Sequence, residues 1–296
     1  MPGFNGSGPT RAEELHREVL AWYAANAREL PWREPDVSPW AVLVSEIMLQ
    51  QTPVNRVLPV YEAWMEAWPT PADLAADAPG EAVRAWGRLG YPRRALRLHA
   101  SAVAIVERHD GQVPSDIEEL RALPGIGDYT AAAVATFAFG QSHAVLDTNV
   151  RRVLERVVGG EEFPQPSLTK PERERAVNLL PQEDAPTWSV AVMELGALVC
   201  TATSPKCTGC PLHNFCTWRL AGKPAYDGAP RKAQTYAGTD RQCRGRLLAI
   251  VRDAPGSVSA SALVRAWNLD DQRDRALASL LADGLVVEDG DRYRLP

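Results

Sequence analysis

The stretch from Leu123 to Val153, LPGIGDYTAAAVATFAFGQSHAVLDTNVRRV, constrains the fold of this chain more than any other. Leu-Pro-Gly-Ile-Gly is a tight turn, and Tyr129 to Phe139 behind it reads as a small, apolar helix. Gly125 and Gly127 allow backbone angles that side chains forbid. They also leave N–H groups unshielded at a helix N-terminus, where orphan donors and the helix dipole attract an anion. A nucleic-acid phosphate fits that description without any base being read, since such contacts position a protein and carry no sequence information. Eighteen residues after Tyr129, Asp147 stands in Leu-Asp-Thr-Asn-Val at the mouth of a second helix. The stretch therefore offers a phosphate anchor and a carboxylate close together in sequence.

A chain of 296 residues with 45% hydrophobic and 23% charged residues buries a real core and has room for two or three domains. No apolar run approaches the length of a membrane span, and the opening MPGFNGSGPTRAEE is expected to be a frayed tail, not a secretory signal. The net charge of -5 argues mildly against a nucleic-acid binder, although binding needs only a local basic patch. Four of the five cysteines, Cys200, Cys207, Cys210 and Cys216, are spaced C-x6-C-x2-C-x5-C. A disulfide framework does not suit a long chain without a secretion signal. Four thiolates on one centre suit zinc or an iron–sulfur cluster, and spacing alone does not separate the two. Cys243 lies apart and reads as a buried apolar residue.

The rest reads as mainly helical. Residues 11–29 place Leu15, Val19, Trp22 and Tyr23 on one face at helical spacing. Pro31 ends that helix, and a second, residues 40–51, is apolar nearly all round and must be buried. Glu46 is its anomaly: a buried carboxylate is unfavourable unless paired, and burial favours its protonated form. Further helices are expected at 57–68, 79–89, 93–109 and 116–122. Residues 224–239 read as a linker, and 240–296 as three amphipathic helices followed by a two-strand ribbon with an Asp-Gly turn, a winged-helix-like pattern. Leu247, Leu248, Leu263, Leu277 and Leu281 are its expected core.

Seven strings in order resemble one family: LPWR (30–33), SEIMLQQT (45–52), WGRLGY (86–91), LPGIGDYTAAAV (123–134), LDTNVRRVL (146–154), MELGALVC (193–200) and the cysteine loop. The pattern is similar to the helix-hairpin-helix DNA glycosylases with an iron–sulfur cluster, and within them to the MutY-type adenine DNA glycosylases. The resemblance implies a two-lobed helical catalytic region over 11–223, and a [4Fe–4S] cluster on Cys200, Cys207, Cys210 and Cys216. It implies base excision repair on double-stranded DNA carrying adenine mispaired with 8-oxoguanine or guanine. It also implies a monomer, no membrane, and a cytoplasmic, nucleoid-associated location.

It assigns roles as well. Glu46 protonates the adenine ring and later handles water, and Asp147 stabilises the oxocarbenium-like sugar. That agrees with the two-carboxylate logic of glycoside cleavage, with Glu46 in apolar surroundings and Asp147 expected at a solvated helix mouth. Asp147 also reads as the N-cap of the helix beginning near Asn149. Tyr129 and Asn149 match residues lining the family's active site. Relatives that also nick the strand carry a lysine where Tyr129 stands, and only an amine forms a Schiff base with the opened sugar. Gln51 and Tyr91, with Leu49 nearby, match positions that fill the gap left by a flipped base. Arg33 and Glu194 match positions around the adenine pocket, with Arg28 as a competitor to Arg33, and Gly125 and Gly127 contact phosphate. Arg93, Arg94 and Arg97 form a basic cluster that can meet phosphate. After the cysteines about eighty residues follow, fewer than the 8-oxoguanine-reading domain of many relatives requires. Arg241, Arg244 and Arg246, after Arg231 and Lys232, suggest a module that clamps DNA or a partner, or one that only stabilises the catalytic part. Two alternatives stand beside the main reading: a mismatch uracil or thymine glycosylase on the same scaffold, and a non-enzymatic DNA-binding protein with a structural metal.

Overall fold

The computed structural model describes residues 10–228 and 236–296; the tail before Thr10 and the linker positions Arg231 and Lys232 lie outside the described residues. The chain forms two compact units, Met1–Val37 with Asp128–Ala229, and Ser38–Gly127 with Pro230–Pro296. Among the described residues no helix is long and apolar enough to cross a membrane.

The first helix, α1 (Arg11–Asn26), begins with a reciprocal cap: Thr10 Oγ1 accepts from the Glu13 N–H, and the Thr10 N–H donates to the Glu13 carboxylate. After the 3-10 turn Pro31–Arg33, Ser38 caps α2 (Pro39–Leu49), whose residues 40–48 are all buried. Then follow α3 (Val54–Ala67), α4 (Pro71–Ala76), α5 (Pro79–Trp86), α6 (Arg93–Arg108) and α7 (Ile117–Ala122). These build the second unit: α4 and α5 pack on α6, and α2 packs on α3 and α6. Trp64 lies edge-to-face with Trp68 and Trp86, at 4.7 and 5.8 Å between ring centroids. Helix α4 is not among the helices expected from the sequence. Its sequence signal is a Thr70/Asp73 capping box.

The remaining helices of the first unit are α8 (Asp128–Phe139), α9 (Thr148–Leu154), α10 (Lys170–Asn178), α11 (Ala185–Leu198) and α12 (Thr217–Leu220). Helix α9 continues into a π-helical turn, Glu155–Gly159. Helices α1 and α9 pack on α11 around Leu15, Val19, Val150, Val153, Trp188 and Leu195.

The C-terminal segment belongs to the second unit. Helix α13 (Asp240–Asp253) packs on α15 (Asp270–Ala282), with the short α14 (Ala260–Val264) between them in sequence. The expected ribbon, β2 (Val287–Asp289) and β3 (Arg292–Arg294), gains a third antiparallel strand, β1 (Val258–Ser259), in the order β1-β3-β2. Leu247, Leu248 and Leu263 are buried as expected, but α15 buries Ala276 and Leu280, leaving Leu277 and Leu281 half-buried. Neighbouring apolar positions in Leu-Ala-Ser-Leu-Leu make this rotation of the face hard to read from sequence.

The end of the chain docks on α5. The Gly80 N–H donates to the Pro296 carbonyl at 3.0 Å, and a side-chain carbon at position 80 would stand 2.5 Å from that oxygen and 2.8 Å from Leu295 Cβ. Neither neighbour is the far end of a flexible side chain. Gly80→Ala is therefore expected to destabilise the protein by about 1–3 kcal/mol, the usual range for overpacking. A thermal melt reads the loss, and hydrogen exchange should place the added mobility at residues 293–296.

Candidate active site and cysteine loop

Asp147 is the N-cap of α9, with Oδ1 accepting from the Val150 N–H at 2.6 Å. Its other oxygen, Oδ2, accepts from Asn149 Nδ2 at 2.7 Å. The cap reading holds, and it fixes the carboxylate in place. The expected solvated mouth is corrected: Asp147 is half-buried, and burial pushes its carboxyl above the usual range. The Val150 and Asn149 hydrogen bonds and the Arg152 charge work the other way without overcoming burial.

Asn149 is held in turn. Arg152, itself buried, donates Nη2 to Asn149 Oδ1 at 2.8 Å and to the Gly196 carbonyl at 2.7 Å, and Nε to the Cys200 carbonyl at 2.7 Å. Gly196 is the position that lets α11 approach: a side-chain carbon there would lie 2.7 Å from Asn149 Cβ. Sequence reasoning missed Arg152 and Gly196. The signal for Gly196 is an isolated glycine in an apolar helix, which points to a close approach; that for Arg152 is only its place one turn after Asn149. Tyr129 is half-buried in the first turn of α8.

A second carboxylate, Glu194 on α11, is fully buried between two arginines. Arg28 meets it bidentately, Nε to Oε1 at 2.6 Å and Nη2 to Oε2 at 2.8 Å, and Arg33 Nη2 reaches Oε2 at 2.9 Å. Both arginine candidates therefore join the same anion. Burial acts to raise the Glu194 pKa, but the Arg28 and Arg33 hydrogen bonds outweigh it and hold the carboxyl down at about 2. Glu194 stays ionised and carries no proton to give. Arg33 Nη1 is buried without a hydrogen-bond partner among the described residues, which leaves a donor for a ligand.

In the second unit, Glu46 lies in the middle of α2 with 6% of its surface exposed. The C-terminal end of that helix is closed by Arg94, which donates Nη1 to the carbonyls of Ile47, Met48 and Gln50. Its Nη2 donates to Thr52 Oγ1 at 3.0 Å and the Gly90 carbonyl at 3.1 Å. This corrects the reading of Arg94 as a phosphate contact: it is buried, and burial lowers its pKa to about 10. Just past its ligands stand Gln51, at φ 56°, and Tyr91, at φ 48°, both exposed and both left-handed. Such backbone is uncommon outside glycine. Leu49, the last residue of α2, is half-buried.

The two hairpin glycines differ. Gly125 has φ 81°, and a side-chain carbon there would meet Arg97 at 2.7 Å, so glycine is required. Gly127 has no such φ and nothing within 4 Å, so the expectation of a forbidden backbone angle is corrected. What Gly127 offers is open space above an exposed turn, the other condition for a phosphate to approach N–H groups.

The four cysteines line one cavity, with Val153, Arg156, Leu195 and Trp218 in its wall. Among the described residues no group of three His, Cys, Asp or Glu is drawn together around a single point. Burial and the neighbouring sulfurs push the Cys210 thiol up to about 12 and raise that of Cys216. Such sulfurs hold their protons until a centre that binds thiolates displaces them. Arg156, buried on the π-helical turn, puts Nη1 3.4 Å from Cys200 Sγ and stacks over Trp218 at 4.7 Å. It supplies positive charge beside a site that becomes anionic when four thiolates are bound. His99 and His143 bond a backbone carbonyl and Gln141 and take no part here.

Comparison with known proteins agrees with this construction. Residues 44–179 match the HhH-GPD superfamily base excision DNA repair proteins, and residues 200–216 match the iron-sulfur binding domain of endonuclease III. The chain is 51% identical over 299 residues to an adenine DNA glycosylase of Mycobacterium tuberculosis, covering 100% of this chain and 97% of that protein. It is 54% identical over 275 residues to the adenine DNA glycosylase of Mycolicibacterium smegmatis, covering 93% of each. A thermostable thymine-DNA glycosylase structure superposes with a TM-score of 0.65 at 26% identity, over 71% of this chain and 97% of that one. The chain thus belongs to the adenine DNA glycosylase family of the HhH-GPD superfamily, whose members carry a [4Fe–4S] cluster.

Proposed function

We propose that this protein removes adenine mispaired with 8-oxoguanine or guanine from double-stranded DNA, acting as a monomer and hydrolysing the N-glycosidic bond without efficient strand cleavage. The observation that carries the reading is Glu46, a carboxyl buried in a helix whose other buried residues are apolar except Ser45. An acid is held in such surroundings to deliver a proton, and a purine ring accepts one as it departs. The adenine then leaves as a neutral base, and the electron deficit falls on the sugar. Asp147 stands as the anion for that deficit. A poorly solvated carboxylate gains more from a developing cation than a solvated one does, because little water screens the pair. Water adds to the sugar carbon, and its proton returns to Glu46. Asn149 orients Asp147, and Tyr129 lines the sugar. The Glu194–Arg28–Arg33 set, with Arg33 Nη1 spare, faces the base.

Gly125 and Gly127 seat a phosphate, while Gln51, Tyr91 and Leu49 fill the gap behind the flipped base. Cys200, Cys207, Cys210 and Cys216 hold the [4Fe–4S] cluster. When bound, it cross-links the loop 200–216 and supplies a redox-capable centre.

The direct test incubates the protein with a duplex containing an A:8-oxoguanine pair and then treats it with alkali, which breaks the strand at a baseless site. Cleavage at the adenine supports the reading. Cleavage of a T:G duplex with A:8-oxoguanine untouched would instead favour the thymine-directed alternative, which the 26%-identical solved structure keeps in view.

Glu46→Gln should keep DNA binding and lower single-turnover base release by at least about 100-fold, since the geometry stays and the transferable proton is lost. Release within tenfold of the parent would remove Glu46 from the mechanism. For Asp147→Asn two opposite effects are expected. Activity should fall by at least about 100-fold, because an amide cannot balance positive charge. Stability at pH 7 should rise, because asparagine also caps helices well and no desolvated anion remains. The sign follows from the raised pKa. The stability this carboxyl contributes is complete when it is protonated and is lost as pH rises through its folded pKa. The melting-temperature advantage of Asp147→Asn should therefore shrink as pH falls through that pKa, and a lower melting temperature at pH 7 would contradict it. Borohydride should trap little protein–DNA adduct on the parent, and Tyr129→Lys should trap more; abundant trapping on the parent would mean that a lysine elsewhere acts as an amine nucleophile.

A further inference from the structure

Tyr91, one of the residues assigned to the DNA gap, has 49% of its surface open, on a backbone with φ 48°. Two guanidiniums reach its ring. One is buried Arg94, at 5.4 Å from the ring centroid. The other is Arg241, also at 5.4 Å, which comes from α13 of the C-terminal segment and lies 5.8 Å from the ring of exposed Tyr236 as well.

Arg241 differs from its neighbours in what it touches. Arg244 is engaged with Asp283 and Ser279, Arg246 lies over Trp267 at 5.1 Å, and Arg252 is buried with its Nη1 on the Gly87 carbonyl at 2.6 Å. Arg241 makes no ion pair and no hydrogen bond among the described residues; aromatic faces alone hold it. A guanidinium stacks with its plane and donates with its edge, so the stack leaves all its N–H groups available.

The C-terminal segment also grips the turn that presents Tyr91 at both ends. Arg252 donates to Gly87 at the start, and Asp283 pairs with Arg93 at 3.2 Å at the finish, while Arg244 holds Asp283 in place. Arg84 of α5 returns the contact by donating to the carbonyls of Arg252 and Ala254. Residues 87, 91 and 93 are thus all touched from one module.

We infer that the C-terminal module is a brace for the turn Gly87–Arg93, and that Arg241 is the positioning residue that holds the Tyr91 ring ready to enter the DNA stack. The inference rests on the reading of Tyr91 as a gap-filling residue. An exposed tyrosine on a left-handed turn otherwise loses side-chain freedom on entering DNA; a ring already restrained by a cation loses less, so insertion is favoured.

The test uses the full-length protein and a duplex whose target adenosine carries a cleavage-resistant 2′-fluoro group beside a 2-aminopurine, whose fluorescence rises on unstacking. A cleavable A:8-oxoguanine duplex runs in parallel. Arg241→Ala should leave the melting temperature unchanged and lower both the fluorescence rise and single-turnover release by roughly fivefold, the scale of an exposed cation–aromatic contact. Arg241→Lys should not restore them, because an ammonium keeps the charge and loses the flat stack. In a Tyr91→Ala background, Arg241→Ala should change neither readout further. An additive loss in that background, or full rescue by Arg241→Lys, would show that Arg241 serves phosphate directly and would overturn the inference while leaving Tyr91 in its role. A lowered melting temperature, or no effect of Arg241→Ala, would also overturn it. No effect of Tyr91→Ala by itself would instead remove the gap-filling reading on which the inference stands.

Discussion

Buried arginines that donate to main-chain carbonyls hold in place the residues to which a function is proposed. Arg94 collects the carbonyls at the end of α2, and Arg152 joins Asn149 to the Gly196 and Cys200 carbonyls. Arg156 donates to the carbonyls of Glu162, Thr201 and Ala202. A guanidinium suits this work because five donors in a rigid fork reach several acceptors that no single helix supplies. Carbonyls at a helix C-terminus also carry partial negative charge, which offsets part of the desolvation of a buried cation. Each arginine fixes chain segments distant in sequence, and each supports a residue assigned to chemistry, to the DNA gap or to the cluster.

That use of arginine explains where sequence reading stopped. The seven ordered strings carried the family, and local patterns carried most helices, because caps, prolines and apolar periodicity act over a few residues. The same holds for Asp147 as a cap and for the requirement for glycine at position 125. The errors concern partners far along the chain. Arg94 looks like Arg93 and Arg97 in a basic run, and only its contacts 40 or more residues away make it a buried clasp. Asp147 at a helix start reads as solvated, and the packing that buries it is nonlocal. Gly127 carries the same hairpin signal as Gly125, although the backbone there needs no special angle.

The net charge of -5 becomes intelligible in the same way. Part of the positive charge is internal: Arg28 and Arg33 are committed to Glu194, Arg151 to Glu172, and Arg175 to Glu155. The count of basic residues therefore says little about the surface that meets DNA. Where a cation stands without an anion matters more, and Arg241 is one such cation among the described residues.

Stability and activity pull against each other at two places, by different physics. At Asp147 the tension is electrostatic: in its proposed role the carboxylate gains from burial when it faces a cationic sugar, and that same burial disfavours the anion when no cation is present. At Gln51 and Tyr91 it is conformational, since a left-handed backbone outside glycine costs of order 1 kcal/mol or more per residue. Both strained residues are exposed, so no burial of their own side chains offsets that cost. It is met from beneath by Arg94, which ties the end of α2 to the Gly90 carbonyl and thereby fixes both turns at once. A single buried guanidinium thus supports two left-handed backbone turns, while the ring of Tyr91 is met from outside by Arg241.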